Sequence, residues 1–157
     1  MGLEIERKFL VTDAWHPESP GVSIKQGYIA KSAELLVRVR TAGDRGFLTL
    51  KGRTEGVTRA EYEYAVPVRD AEELLALAGG PTIEKTRYRV PFGAHIWEVD
   101  VFSGANEGLV VAEIELARAD EPFERPPWLG AEVSDDPRYY NANLAAHPFR
   151  AWHHDAS

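Results

Sequence analysis

The sequence predicts a mainly β fold with some helix (α+β), an eight-stranded antiparallel barrel or sandwich with a few peripheral helices. Three observations predict it. Eight short segments alternate apolar and polar residues, as half-buried strands do. Turn-forming residues separate many of them. Charges of one sign recur at every second position within most of the segments. At 157 residues, with 44% hydrophobic and 27% charged residues, the chain suits one domain over residues 1–157 with a core that needs no staples.

In order, the expected strands are Leu3–Val11, Val22–Ala30, Leu35–Thr41, Gly46–Lys51, Thr58–Val66, Ile83–Pro91, His95–Phe102 and Val110–Leu116. Ala42-Gly43-Asp44, Gly52-Arg53-Thr54-Glu55-Gly56, Pro91-Phe92-Gly93-Ala94 and Ser103-Gly104-Ala105-Asn106 supply turns between neighbours. A helix is expected after the fifth strand. Asp70 with Glu73 resembles a capping box, Leu74, Leu75, Leu77 and Ala78 form an apolar stripe, and Gly79-Gly80 ends it. Pro126-Pro127 before Trp128-Leu129 suggests a short helical turn. A last helix is expected near Tyr140–Ala146, and the tail after Phe149, with His153-His154, should fray.

Composition excludes several classes of function. A net charge of −7 argues against nonspecific nucleic-acid binding, which needs a basic excess. It leaves room for a local basic pocket and an anionic small molecule. With no cysteine there are no disulfides and no thiolate chemistry, which fits a reducing, cytoplasmic setting. No apolar run reaches the roughly 20 residues of a membrane span. Sequence patterns for a phosphate-binding loop, a zinc protease, a serine hydrolase or a dinucleotide fold are all missing.

The charge pattern is the informative part. On the first strand Glu4, Glu6 and Lys8 share one face, because successive strand side chains point to opposite sides. Leu3, Ile5 and Phe9 take the other face, with Arg7 the exception. The same phase holds Arg38 and Arg40, then Lys51, then Arg59, Glu61 and Glu63. It continues with Lys85, Arg87 and Arg89, with Glu98 and Asp100, and with Glu113 and Glu115. Any one such face is ordinarily a solvated surface. Grouping by sign on strand after strand is not ordinary, since like charges side by side repel and a wet face mixes them with Thr, Ser and Gln. If these faces turn inward, the sheet closes around an ionic lumen, and eight strands leave room for one small ligand.

So many charges would not be buried for stability. Converging Lys and Arg suit a polyphosphate, with guanidinium forks and ammonium point charges on successive phosphates. Paired carboxylates suit a hard divalent cation such as Mg²⁺ or Mn²⁺.

The segment Glu-Ile-Glu-Arg-Lys-Phe-Leu-Val at positions 4–11 resembles the ExExK signature of the CYTH, or triphosphate tunnel metalloenzyme, family. The resemblance continues through Gln26-Gly27-Tyr28, Val37–Arg40, Leu48–Gly52, Arg59–Glu63, Glu84–Tyr88, Glu98–Phe102, Ala112–Glu115 and Val133–Asn141. It implies a closed or nearly closed eight-stranded antiparallel barrel with a triphosphate inside. It implies that Glu4, Glu6, Glu113 and Glu115 bind Mg²⁺ or Mn²⁺, supported by Glu61, Glu63 and Asp100. Lys8, Arg38, Arg40, Lys51, Arg59, Lys85 and Arg87 would hold phosphates, Arg59 alternatively pairing with a carboxylate. Glu4, Glu6, Lys8, Tyr28 and Lys85 would carry the catalysis, Tyr28 near the reactive end.

Resemblance to a family does not fix the reaction. The compact chain, its opening segment and Tyr28 resemble small bacterial inorganic triphosphatases, which split triphosphate to pyrophosphate and phosphate. Class IV adenylate cyclase and thiamine triphosphatase are the alternatives, and a polyphosphate- or nucleotide-binding module without turnover is a third. The expected partner is a small triphosphate, with neither nucleic acid nor membrane, and a homodimer stays open.

Overall fold

The computed structural model describes residues 2–155, with side chains as far as Trp152. Eight strands lie close to the expected spans: β1 Leu3–Val11, β2 Val22–Lys31, β3 Leu36–Ala42, β4 Arg45–Lys51, β5 Thr58–Val66, β6 Ile83–Phe92, β7 His95–Ser103 and β8 Val110–Glu115. Their order around the sheet is β5-β4-β3-β2-β6-β7-β8-β1, and a β5–β1 pairing closes it. Every pairing is antiparallel. The predicted barrel is present.

The seam at β1 explains a ninth strand that the sequence did not suggest. One edge of β1 pairs with β8 from Glu6 to Leu10. On its other edge, β5 covers only Leu3 to Ile5. Beyond that, the backbone of β1 still needs partners, because an unpaired buried amide is costly. Glu6 N–H donates to Val57 O at 3.0 Å, Lys8 N–H to Ser134 Oγ at 2.9 Å, and Lys8 O accepts from Val133 N–H at 2.8 Å. Then β9, Leu129–Glu132, pairs with Phe9 and Val11. The expected helical turn at Pro126–Leu129 is instead a turn leading into this strand, with Leu129 N–H donating to Pro126 O at 3.1 Å.

Charge lies inside the barrel, so much of the apolar core lies outside it. Ile5 and Phe9 of β1, Trp97 and Val99 of β7, and Ala112 and Ile114 of β8 pack under Leu116 and Trp128 of the returning chain. Phe9, Phe123 and Trp128 meet Trp97 edge to face at centroid distances of 5.6, 5.6 and 5.9 Å, contacts worth about 0.5–1.5 kcal/mol each beyond their burial. A second cluster joins Ile83, Phe102 and Val111, inward-phased at the ends of β6, β7 and β8, to Leu109 and to Leu144 and Ala145 of α2, Asn141–Ala146. This is the expected last helix. After it the chain does not fray at once: α3 spans Phe149–Asp155, and Trp152 sits edge-on against Tyr139 and Phe149. The side chains of His153 and His154 lie outside the described residues.

The helix after β5, α1, runs Val68–Ala78 and starts before the expected cap. Its N-cap is Pro67, already extended at φ −55° and ψ 137°, so Asp70 sits within the first turn instead of capping it. Ala71 and Leu75 face Val39 of β3, whereas Leu77 is 82% exposed and leaves the stripe. Contact with β4 is close enough to require Gly46, where a Cβ would stand 2.9 Å from that of Ala71. Gly79 ends α1 in the left-handed region at φ 66°.

Candidate active site

Period-two alternation on the closed sheet sends one face of each of the eight strands, charged on all but β2, toward a shared cavity of about 390 Å³, a volume typical of a small-ligand site. Its walls include Glu4, Glu6 and Lys8 from β1, Tyr28 from β2, Arg38 and Arg40 from β3, and Lys51 from β4. They also include Arg59, Glu61 and Glu63 from β5, Lys85 and Arg87 from β6, and Glu113 and Glu115 from β8. Fourteen of the fifteen residues singled out in the sequence thus share one cavity. Glu98 of β7, whose phase the sequence also noted, joins them.

The fifteenth, Asp100, lies behind the wall. It is fully buried, and both carboxylate oxygens are taken by cations: Oδ2 by Lys85 Nζ at 2.7 Å and Arg87 Nη2 at 2.9 Å, Oδ1 by Arg87 Nε at 2.8 Å. The sequence grouped it with the metal-side carboxylates. Cross-strand register places it opposite Arg87, and there it aims two cations.

The carboxylates crowd along the β1–β8 pairing, where Glu6 stands opposite Glu115 and Lys8 opposite Glu113. Burial, with the Glu113 and Glu4 charges, pushes the Glu6 carboxyl well above its usual range, and Lys8 and Lys51 offset only part of this. Glu4 is raised too, by burial against the pull of Lys51 and with Glu61 close by. Burial, Glu4 and Glu98 raise Glu115. For Glu113, burial acts upward, but Lys8, Arg87 and Lys85, with a hydrogen bond from Glu6, hold it well below the ordinary range. Glu4, Glu6 and Glu115 therefore hold their protons more tightly than ordinary carboxylates, chiefly through burial and then through one another's charge, while Glu113 does not.

The opposite condition holds on β3 and β6. Arg40 is depressed to about 10 by burial and by Arg38 and Arg87. Its Nε donates to Gln26 Oε1 at 2.8 Å, and it forms no ion pair among the described residues. Burial, with Arg87 and Arg40 nearby, lowers Lys85 to about 7 even though Asp100 opposes the shift. Lys85 also donates to Asn141 Oδ1 of α2 at 3.0 Å. Lys8 stays cationic, since Glu113, Glu6 and Asp100 outweigh its burial. Arg38 reaches Thr49 Oγ1 at 3.2 Å and Glu63 at 3.5 Å. Lys51 pairs with Glu61 at 3.2 Å and Glu4 at 3.4 Å. Arg59 donates to Gly52 O and to no carboxylate among the described residues.

Chemically, the donor set on β1 and β8 is all oxygen and short of positive charge, which suits a hard divalent cation. Among the described residues, no three carboxylates or histidines are already drawn together as a metal cluster. Among the residues not assigned to the site from sequence, Lys31, Ser134, Tyr140, Asn141 and Asn143 also line the cavity, while Gln26 and Thr49 are buried behind it and hold Arg40 and Arg38. Gln26 and Thr49 could have been found, because they share the inward phase of Tyr28 and Lys51. Asn141 lies on a helix that only tertiary packing brings to the cavity.

A closed antiparallel barrel with an ionic lumen defines the class, and family comparison gives the same answer. The CYTH domain model matches residues 2–140, and the chain belongs to the CYTH domain family, whose triphosphatases are metal-dependent. It is 49% identical over 152 residues to an inorganic triphosphatase of Acetivibrio thermocellus, covering 96% of this chain and 97% of that one. An inorganic triphosphatase of Nitrosomonas europaea is 40% identical over 147 residues, covering 90% and 96%. A crystal structure of an inorganic triphosphatase superposes with a TM-score of 0.65 at 37% identity, covering 90% and 96%. No helix among the described residues is long and apolar enough to cross a membrane.

Proposed function

We propose that the cavity hydrolyses inorganic triphosphate to pyrophosphate and phosphate with the help of Mg²⁺ or Mn²⁺, as the names of the two relatives suggest. The observation that carries this is the opposed imbalance of charge in one cavity. Arg40 and Lys85 are buried cations with too little negative charge, facing the Glu4–Glu6–Glu115 group with too little positive charge. A metal–polyphosphate complex relieves both at once.

In this reading Arg38, Arg40, Lys85 and Arg87 grip phosphates as guanidinium forks and an ammonium. Lys8, Lys51 and Arg59 extend the grip along the chain. Glu4, Glu6, Glu113 and Glu115 would hold the cation, as oxygen donors suited to a hard divalent ion. Glu61 and Glu63 hold Lys51 and Arg38 in place beside them. When bound, the cation polarises a phosphate oxygen and a water molecule. The protein's own share is mainly positioning and neutralisation, which phosphoryl transfer chiefly needs. Tyr28 adds a hydroxyl that burial keeps protonated, because its pKa is raised despite Arg38 nearby.

The test is a panel of inorganic triphosphate, ATP, thiamine triphosphate and longer polyphosphate, with and without each metal, reading released phosphate. Fastest turnover of inorganic triphosphate, lost on chelation, is the expected result. Cyclic AMP formed from ATP at a comparable rate would overturn it.

A further inference from the structure

Gln26 is fully buried in the middle of β2, paired across the sheet with Arg40 on one side and Ile83 on the other. A buried side-chain amide is costly unless satisfied. This one makes two contacts, both to cavity residues: Arg40 Nε donates to its Oε1 at 2.8 Å, and its Nε2 donates to Tyr28 Oη at 3.0 Å. The orientation of the amide is not free. A guanidinium can only donate, so the amide oxygen must face Arg40 and the NH₂ must face Tyr28. The tyrosine hydroxyl is therefore the acceptor in that bond, and its own proton is left over.

The surroundings of that proton decide its direction. The charges that act most strongly on Tyr28 are those of Arg38, Arg40 and Lys8, and none of them can accept a hydrogen bond. Among the described residues no other acceptor takes it. The hydroxyl lines the cavity, so the proton waits for an acceptor oxygen that arrives from outside.

We propose that Gln26 is a positioning residue that fixes the polarity of the Tyr28 hydroxyl, holding it as a hydrogen-bond donor toward a substrate phosphate oxygen while anchoring Arg40 through the other end of the same amide. The proposal rests on the triphosphatase reading and deepens it. One amide thereby sets two phosphate contacts on adjacent strands, a forked cation and a neutral donor. Such a donor, preorganised toward developing negative charge, acts most strongly in the transition state.

Gln26→Glu tests it, because the change is nearly isosteric and splits the two roles. A carboxylate at position 26 still accepts from Arg40, but it turns the Tyr28 hydroxyl inward as donor to itself. The expected result is a fall in kcat of about tenfold to a hundredfold, matching that of Tyr28→Phe. Adding Gln26→Glu to Tyr28→Phe should then lower kcat by less than about threefold more. Tripolyphosphate affinity without metal, read by calorimetry, should fall by the same factor in Gln26→Glu and in the double variant, since the new charge near Arg40 acts alike in both. Multiplicative losses of kcat in the double variant, or an unchanged kcat in Gln26→Glu, would overturn the proposal. If Gln26→Glu does not fold, Gln26→Met enters the same cycle. It frees both partners, so it should raise KM through Arg40 and again lower kcat only when Tyr28 is present. Failure of the underlying reading would look different: wild-type protein would not hydrolyse triphosphate at all.

Discussion

Replacing Asp100 with Asn offers the sharpest check on how the cation wall is held. The change keeps shape and volume but removes the charge that Lys85 and Arg87 share at 2.7–2.9 Å in a fully buried position. Breaking a buried ion pair from one side costs about 3–5 kcal/mol, because the partner stays buried and uncompensated. Two cations are stranded here, and they also repel each other. Lys85, already lowered to about 7, can shed its proton in response, which places the expected loss near the lower end, about 3 kcal/mol. For a chain of this length that is a fall in Tm on the order of 10 °C. Urea denaturation of the metal-free protein, with and without tripolyphosphate, measures it. The ligand should stabilise Asp100→Asn more than wild type, because phosphate oxygens replace the missing charge. A stability change below about 0.5 kcal/mol would refute the anchoring role. So would a variant whose metal affinity falls while its stability holds, since that is how a metal ligand behaves.

Three further outcomes follow from the charges on the cavity walls. Glu6→Gln should lower turnover by more than about a hundredfold while leaving metal-free tripolyphosphate binding within about threefold; surviving turnover would remove Glu6 from the metal site. Because Glu4, Glu6 and Glu115 sit above their unfolded values, their contribution to stability is full below about pH 4.5 and is lost as pH rises through the folded values. Mg²⁺ must displace those protons, so calorimetry in two buffers of different ionisation heat should show proton release and an affinity that grows with pH; buffer-independent heats would contradict this. Lys85 has the opposite sign. Between about pH 7 and its unfolded value near 10.4 the unfolded chain holds more protons, so its contribution to stability rises with pH in that window. Metal-free tripolyphosphate binding at pH 8 should therefore take up a proton, and Lys85→Met should abolish the uptake.

Much of the barrel was legible because a strand's side-chain period is two, and the sequence keeps that period along most of each strand, Arg7 and the shift after Tyr28 aside. The span Thr58–Val66 agrees residue for residue, and the inward phase placed the cavity carboxylates and all its cations but Lys31 on the correct face; Lys31 comes in past the irregularity between Tyr28 and Ala30 that shifts the phase of β2. What stayed illegible depends on which strand lies next to which. Leu129–Glu132 is short and contains Gly130, so nothing local marks it as a strand. It exists because β5 leaves β1 after Ile5 and the vacant edge must be paired. Asp100 shares its phase with Glu98, yet one is consumed by Lys85 and Arg87 and the other reaches the cavity. Register and depth in the barrel separate them, and neither is written in a five-residue window. At α1 the local pattern Asp70-x-x-Glu73 misplaced the start because Pro67, with its fixed φ, opens the helix earlier.

The seam where β1 meets both β8 and β5 has a consequence for how the molecule assembles. Glu4 and Glu6 come from the start of the sequence, and Glu113 and Glu115 from its far side. The hairpins β2–β3–β4–β5 and β6–β7–β8 can form from near neighbours, but β2 must find β6 across the intervening strands and α1, and the four carboxylates meet only when β1 slots between β8 and β5. Such long-range closure is intrinsically slow. A cation that binds only the completed set stabilises the closed barrel by mass action. The metal would then be a proofreader of folding as well as a reagent, rewarding the single arrangement in which the ring is shut.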